Sequence, residues 1–247
     1  MIERQRLIPN TSTLHHPNRI SRFGFTFACQ RAIRANVHVL MLTKVKICGI
    51  TRMEDALAAA AAGADALGFM FYEASPRRVA FDVAAKIIRE LPPFLARVGV
   101  FVNPSPDGVR SAIEDCRIDT LQFHGEETPE FCAQFGLRVI KAFRVRDAES
   151  LGVVAIHPGV TCLLDSFVAG QHGGTGATFN WDLAAQTVQA GRRVLLAGGL
   201  TPDNAAEAVR RVRPYGLDVS SGVEAAPGVK DAAKVRAFIA AAKSVTV

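Results

Sequence analysis

From residue 44 onward the chain alternates short apolar runs with longer stretches in which apolar residues recur at helical spacing. Runs rich in β-branched and aromatic residues fall at 45–47, 66–71, 98–102, 120–123, 139–143, 161–164, 194–197 and 217–219. Between and after them the spacing predicts amphipathic helices over 53–62, 82–91, 106–116, 129–135, 181–190, 204–211 and 231–242, with a weaker one near 147–155. Thr51 and Glu54 read as a capping box for the first helix, and Asp82 and Asp231 as caps of later ones. Eight strand-then-helix units with short connections describe one α/β domain over 44–247, a single (β/α)8 barrel; a doubly wound sheet would normally need fewer strands.

The first forty residues break this pattern. They are rich in Arg, Asn, Thr and Ser, carry no organised period, and end at Met41 just before the first convincing strand. Such a segment reads as an Arg-rich organelle leader, as a basic arm for anionic partners, or as residues upstream of a true start at Met41. The last reading is preferred, because nothing in 1–40 could pack a core; an irregular, disordered N-terminal extension is expected.

Charge follows the same division. Residues 1–40 hold six arginines against Glu3 alone, whereas the other 207 residues hold 23 basic and 22 acidic groups. The net charge of +6 therefore belongs almost wholly to the extension, and the nearly neutral remainder argues against a nucleic-acid partner. At 49% hydrophobic and 21% charged the chain can bury a large core, yet no apolar run approaches the roughly 20 residues of a membrane span. Five cysteines, at 29, 48, 116, 132 and 162, lack CxxC or Cys/His ligand spacing. Neither a disulfide framework nor a zinc site is suggested, and a reducing cytoplasm fits.

Candidate chemistry gathers at the ends of the predicted strands. In Lys44-Val-Lys-Ile-Cys-Gly-Ile-Thr51, Cys48 stands at a strand-to-helix turn, on the sheet edge where reacting groups collect. It is either a working thiol or a small buried apolar residue. A thiol of ordinary pKa near 8.5 is a poor base at neutral pH unless its thiolate is favoured by a helix N-terminus or a nearby cation. Lys46 shares its strand face and is either that cation or a structural lysine. Asp165 closes the apolar run of the sixth strand, as a general acid or as a cap for the following loop.

Loops 72–78, 166–179, 198–204 and 220–228 have ligand-binding composition. Gly198 and Gly199 after the seventh strand, with Ser221 and Gly222 after the eighth, suit a phosphate held by backbone N–H groups, against the simpler reading of tight turns. His124, next to Glu126, either contacts substrate or is held structurally by a carboxylate. Asp218 is expected to organise the loop before Ser220, and His172 to lie exposed on the Gly-rich loop. Cys116, Cys132 and Cys162 read as packing residues.

Taken together, Lys46-Ile-Cys-Gly-Ile-Thr51, Gly68-Phe-Met-Phe-Tyr72 with Ser75-Pro-Arg77, Val98-Gly-Val-Phe-Val-Asn103, Leu121-Gln-Phe-His-Gly-Glu126, Leu164-Asp165, Gly173-Gly-Thr-Gly176 with Phe179-Asn-Trp181, Ala197-Gly-Gly-Leu200 and Asp218-Val-Ser-Ser-Gly-Val-Glu224 resemble the phosphoribosylanthranilate isomerases of tryptophan biosynthesis. The resemblance covers about 44–243 and leaves 1–40 untouched. It implies an Amadori rearrangement with Cys48 as general base and Asp165 as general acid. Arg77 would hold the anthranilate carboxylate, Arg78 stands where the family varies, and Gly198, Gly199, Ser221 and Gly222 would grip the phosphate.

His124, Asp218 and Ser220 complete the expected substrate-binding set. No metal or organic cofactor is implied, because the aromatic amine serves as the electron sink. A cytoplasmic monomer or homodimer acting on a small phosphorylated substrate, without nucleic acid or membrane, is expected. Rival readings are a pentose-phosphate epimerase, which would want metal-ligand histidines where only His124 stands, a histidine-pathway isomerase, or a non-catalytic phosphosugar-binding barrel. Intact Cys48 and Asp165 speak against the last.

Overall fold

In the computed structural model the described residues are 42–145, 147, 149, 152–166 and 181–246. The N-terminal extension and the Gly-rich loop with His172 lie outside them. Eight parallel strands close into a barrel in sequence order: β1 (Lys44–Cys48), β2 (Ala66–Met70), β3 (Ala96–Phe101), β4 (Thr120–Phe123), β5 (Arg138–Val145), β6 (Thr161–Ser166), β7 (Val194–Leu196) and β8 (Gly216–Val219), with β8 returning to pair with β1. Helices follow as α1 (Met53–Ala61), α2 (Phe81–Arg89), α3 (Pro106–Cys116), α4 (Pro129–Ala133), α5 (Gly152–Ala155), α6 (Trp181–Gln189), α7 (Ala205–Val212) and α8 (Ala232–Lys243). Each predicted strand is present to within two residues at either end. Of the weak helix expected near 147–155, the described residues Gly152–Ala155 form α5.

The strands alternate strictly between two cores, as period-two side chains must. Val45, Ile47, Leu67, Phe69, Leu121, Phe123, Leu164, Leu196 and Leu217 face outward into the layer beneath the helices. A run of T-shaped and tilted ring contacts through Phe71, Phe81, Phe101, Phe123, Phe131 and Phe135 fills that layer beside strands 2 to 4. Inward the barrel is filled by Cys48, Val98, Val100, Ile140, Ala142, Leu163, Leu195 and Ala197. This parity fixes the chemistry: a residue two positions from Cys48 on β1, namely Lys46, also points to the axis.

Of the three expected helix caps, one forms. Asp231 does cap α8, accepting from the backbone N–H groups of Ala233 and Lys234 at 2.8 and 3.1 Å. The Thr51–Glu54 capping box does not form. Arg52 stands at the N-cap of α1 without a side-chain bond, Glu54 pairs with Arg52, and the Thr51 hydroxyl donates to the Gly228 carbonyl across the barrel mouth. A tertiary acceptor has outcompeted the local one. Asp82 lies inside the first turn of α2, behind the N-cap residue Ala80, and bonds Lys86 one turn on at 3.3 Å. Ser105 and Thr128 cap α3 and α4 instead.

After β8 the chain makes a single 3-10 turn (Ser221–Val223) and then a hairpin, β9 (Glu224–Ala226) against β10 (Val229–Lys230), none of which the periodicity predicts. This hairpin leans over the carboxyl mouth and brings two buried charges to it.

Candidate active site

One cavity opens at the carboxyl ends of the strands, and all ten expected site residues line it: Cys48, Arg77, His124, Asp165, Gly198, Gly199, Asp218, Ser220, Ser221 and Gly222. Cys48 ends β1 and Asp165 lies at the end of β6, so thiol and carboxylate face each other across the barrel. Both side chains are almost wholly buried.

Two ion-pair systems surround Cys48. Lys46 donates to Asp218 at 2.8 Å deep in the barrel, on neighbouring strands where the two residues are in register. In the hairpin system, Arg77 donates to Glu224 from Nε at 2.9 Å and from Nη2 at 2.8 Å, while Lys230 bonds the same carboxylate at 2.8 Å and the Ser220 carbonyl at 3.2 Å. Glu224 and Lys230 were not anticipated as site residues. Burial raises the Glu224 carboxyl, but hydrogen bonds from Arg77 and Lys230 outweigh it and hold the group below its ordinary range. Glu224 in turn raises Arg77.

This bidentate pairing changes the expected use of Arg77. The Nε–Nη2 side of its guanidinium is committed to Glu224, so a substrate carboxylate is left the end-on face formed by Nη1 and Nη2. Arg78 points away and pairs with Glu73 at 2.6 Å on the surface.

The Cys48 thiol is pushed up by burial, which outweighs the lowering by Lys46; Asp218 pushes it further in the same direction. Proton loss from Cys48 in the free protein is thus harder than from an ordinary thiol. The first helix begins at Met53, where it was expected, and the Thr51 hydroxyl is turned to the Gly228 carbonyl.

His124 belongs with Asp165, its Nε2 lying 3.5 Å from a carboxylate oxygen, rather than with Glu126. Its loop is anchored from beneath. Glu127 accepts from the Asn103 and Gly125 N–H groups, and buried Lys141 bonds the Gly125 carbonyl at 2.7 Å and Glu127 at 3.2 Å. Ser220 spends its hydroxyl on the Cys48 carbonyl at 3.1 Å, binding the end of β8 to the end of β1.

Gly198 and Gly199 both adopt left-handed backbone, with φ of 83° and 64°, and the turn they form is locked by Asn204, which bonds the Gly199 carbonyl and the Thr201 N–H. Opposite stands the 3-10 turn of Ser221–Val223. Two turns at the ends of β7 and β8 thus meet over one cavity, at the end of the barrel where such folds commonly bind phosphate. Cys116, Cys132 and Cys162 are buried in the packing layers, as expected of them.

Comparison with known proteins gives one consistent result. A family model described as N-(5'phosphoribosyl)anthranilate (PRA) isomerase matches residues 45–241. The isomerase of that name from Trichlorobacter lovleyi is 55% identical over 202 residues, 82% of this chain and 98% of the relative. Among solved structures, the phosphoribosyl anthranilate isomerase of Thermotoga maritima superposes with a TM-score of 0.78 at 40% identity, over 82% of this chain and 100% of that one. A phosphoribosyl anthranilate isomerase holding reduced 1-(o-carboxyphenylamino)-1-deoxyribulose 5-phosphate matches at 0.75 and 40%, again over 82% and 100%. Monomers generated from the dimeric Thermotoga maritima isomerase match at 0.75 and 38%, over the same shares.

Proposed function

This chain belongs to the N-(5'-phosphoribosyl)anthranilate isomerase family, and we propose that it carries out the family's Amadori rearrangement with Cys48 as general base and Asp165 as general acid. The reaction converts N-(5'-phosphoribosyl)anthranilate into 1-(2-carboxyphenylamino)-1-deoxyribulose 5-phosphate, a step of tryptophan biosynthesis. The observation that carries the assignment of roles is the placement of one thiol and one carboxylate on opposite walls of a cavity that also holds two glycine turns.

Asp165 gives its proton to the ribose ring oxygen as the C1'–O bond breaks and the anthranilate nitrogen forms an imine. Cys48, as thiolate, then takes the C2' proton, and the electron pair left on C2' moves into the imine to give the enolamine. Tautomerisation yields the ketose. His124, at 3.5 Å from Asp165, orients that carboxyl group. Loss of anthranilate-type fluorescence on adding phosphoribosylanthranilate to the purified protein tests the activity directly; binding without turnover would favour the non-catalytic barrel.

Arg77 anchors the anthranilate carboxylate through its end-on face while Glu224 fixes the rest of the guanidinium. Arg77→Ala should raise KM at least about 10-fold and leave kcat within a few-fold, the pattern of a group that binds ground and transition states alike. Arg77→Lys should rescue poorly, because an ammonium cannot serve Glu224 and substrate through one planar fork. Steady-state kinetics of the two variants decide this, and unchanged KM in Arg77→Ala would remove the anchor.

The catalytic domain is assigned to 44–247, since all eight strands, the cavity and the family match fall within it. Deleting residues 1–40 should leave kcat, KM and the thermal midpoint nearly unchanged; loss of soluble folded protein would make the extension structural. The four described cysteines are unpaired, which supports a reducing, cytoplasmic setting. The substrate is a small phosphorylated molecule rather than a nucleic acid. A homodimer, as described for the Thermotoga maritima relative, is the expected assembly, and sedimentation of the purified protein measures it.

A further inference from the structure

Lys46 is a buried charge beside Cys48 that the mechanism has not used. It is 2% exposed, and its partner Asp218 is 8% exposed, which places an ion pair in the barrel interior where apolar side chains of similar volume would stabilise the fold as well or better. A pair kept at such a place invites a reason other than stability.

Position supplies one. Lys46 and Cys48 point to the same side of β1, and β2 faces them with Gly68, paired in register with Cys48. A Cβ at position 68 would lie 2.8 Å from the Cys48 sulfur and 3.1 Å from the Lys46 ammonium nitrogen, so the missing side chain is what lets thiol and ammonium share that space. Thiol sulfur and ammonium nitrogen thus border one and the same point beside Gly68.

We propose that Lys46 is a positioning residue for the proton-transfer step: through the gap left by Gly68 its ammonium stabilises the Cys48 thiolate, while Asp218 opposes the same thiolate and keeps it from forming permanently. The balance is local. The other charges near the sulfur are Arg77, from the loop after β2, and Lys230, from β10, and both are shared by Glu224 of β9. Asp165 of β6, Arg144 of β5 and His124, just after β4, line the same cavity from the other strands, with His124 3.5 Å from Asp165. Lys46 and Asp218 are left as the adjustable pair, with opposite effects on one sulfur.

Opposite effects make the test sharp. The proposal rests on Cys48 as the base, but its readout is the thiol itself: the rate of Cys48 alkylation by iodoacetamide as a function of pH, with Cys48→Ala as the blank for the other cysteines. Lys46→Met should move the thiol titration, and the rising limb of the kcat/KM profile with it, upward by about one pH unit or more, and Asp218→Asn should move both downward. A merely structural pair would shift neither, or would shift both the same way through general loosening; either result overturns the proposal.

Lys46→Met/Asp218→Leu leaves no lone buried charge and guards against a single variant that fails to fold. Its thiol should titrate above wild type, because the Lys46 influence on the sulfur exceeds that of Asp218. A wild-type titration in the double variant would also overturn the proposal. Failure of the base assignment looks different, since Cys48→Ala would then remain active whatever the titrations show.

Discussion

Cys48→Ala and Asp165→Asn are each expected to lower kcat by roughly 100-fold or more while binding of a product analogue stays within a few-fold. Both side chains reach the cavity from strand ends, so neither substitution disturbs a helix or a loop. Cys48→Ala removes only a sulfur, leaving its inward neighbours Val98, Val100 and Ala197 in place. Asp165→Asn keeps the shape and loses the transferable proton, and it alters the 3.5 Å contact to His124. Steady-state kinetics with analogue titration measure both effects.

The pH profile adds a sign. Burial holds the Cys48 thiol above its ordinary value, so the thiolate fraction of the free enzyme grows as pH rises, and kcat/KM should climb with pH toward and beyond that ordinary value. In Cys48→Ala this limb should vanish from whatever residual rate is left. A Cys48→Ala enzyme with near-normal kcat would take the thiol out of the reaction.

The barrel was legible because each strand carries a core on both faces. Runs such as Leu163-Leu164 or Val194-Leu195-Leu196 stay apolar throughout, as buried parallel strands do, and helical spacing separates them. The same two-sided burial placed Lys46 beside Cys48 and set Asp165 at an edge. What stayed hidden depends on tertiary geometry. Strands of three and two residues in β9 and β10 are too short to show a period, so Glu224 and Lys230 looked like ordinary loop residues.

Thr51 and Asp82 illustrate a related limit. Local capping rules weigh only a neighbour's N–H, whereas Thr51 finds the Gly228 carbonyl 177 residues away and Asp82 finds Lys86. Gly68 could be read as part of a motif, but its purpose appears only when β2 is laid in register against β1. The carboxylate partner of His124 likewise came from β6 rather than from the adjacent Glu126.

Gly222→Ala is expected to be the most damaging single methyl in the phosphate site. An ideal Cβ at this position would fall 1.9 Å from the Leu200 carbonyl oxygen and 3.3 Å from the Thr201 Cα. These are backbone atoms of the opposing turn, held by the Asn204 bonds to Gly199 and Thr201, so no side-chain rotation can relieve the clash. The loops after β7 and β8 must therefore separate, spreading the N–H groups that would converge on the phosphate. Overpacking of this kind costs about 1–3 kcal/mol, a few degrees or more of thermal midpoint for a domain of this size. Below that midpoint the folded variant should still show KM raised at least about 10-fold, with inorganic phosphate losing its power to compete. Ser221→Ala, which adds no atom, should keep the wild-type midpoint and separate the two effects. Wild-type KM and midpoint in Gly222→Ala would mean that the two turns do not close on one anion, and the phosphate would have to be sought elsewhere around the mouth.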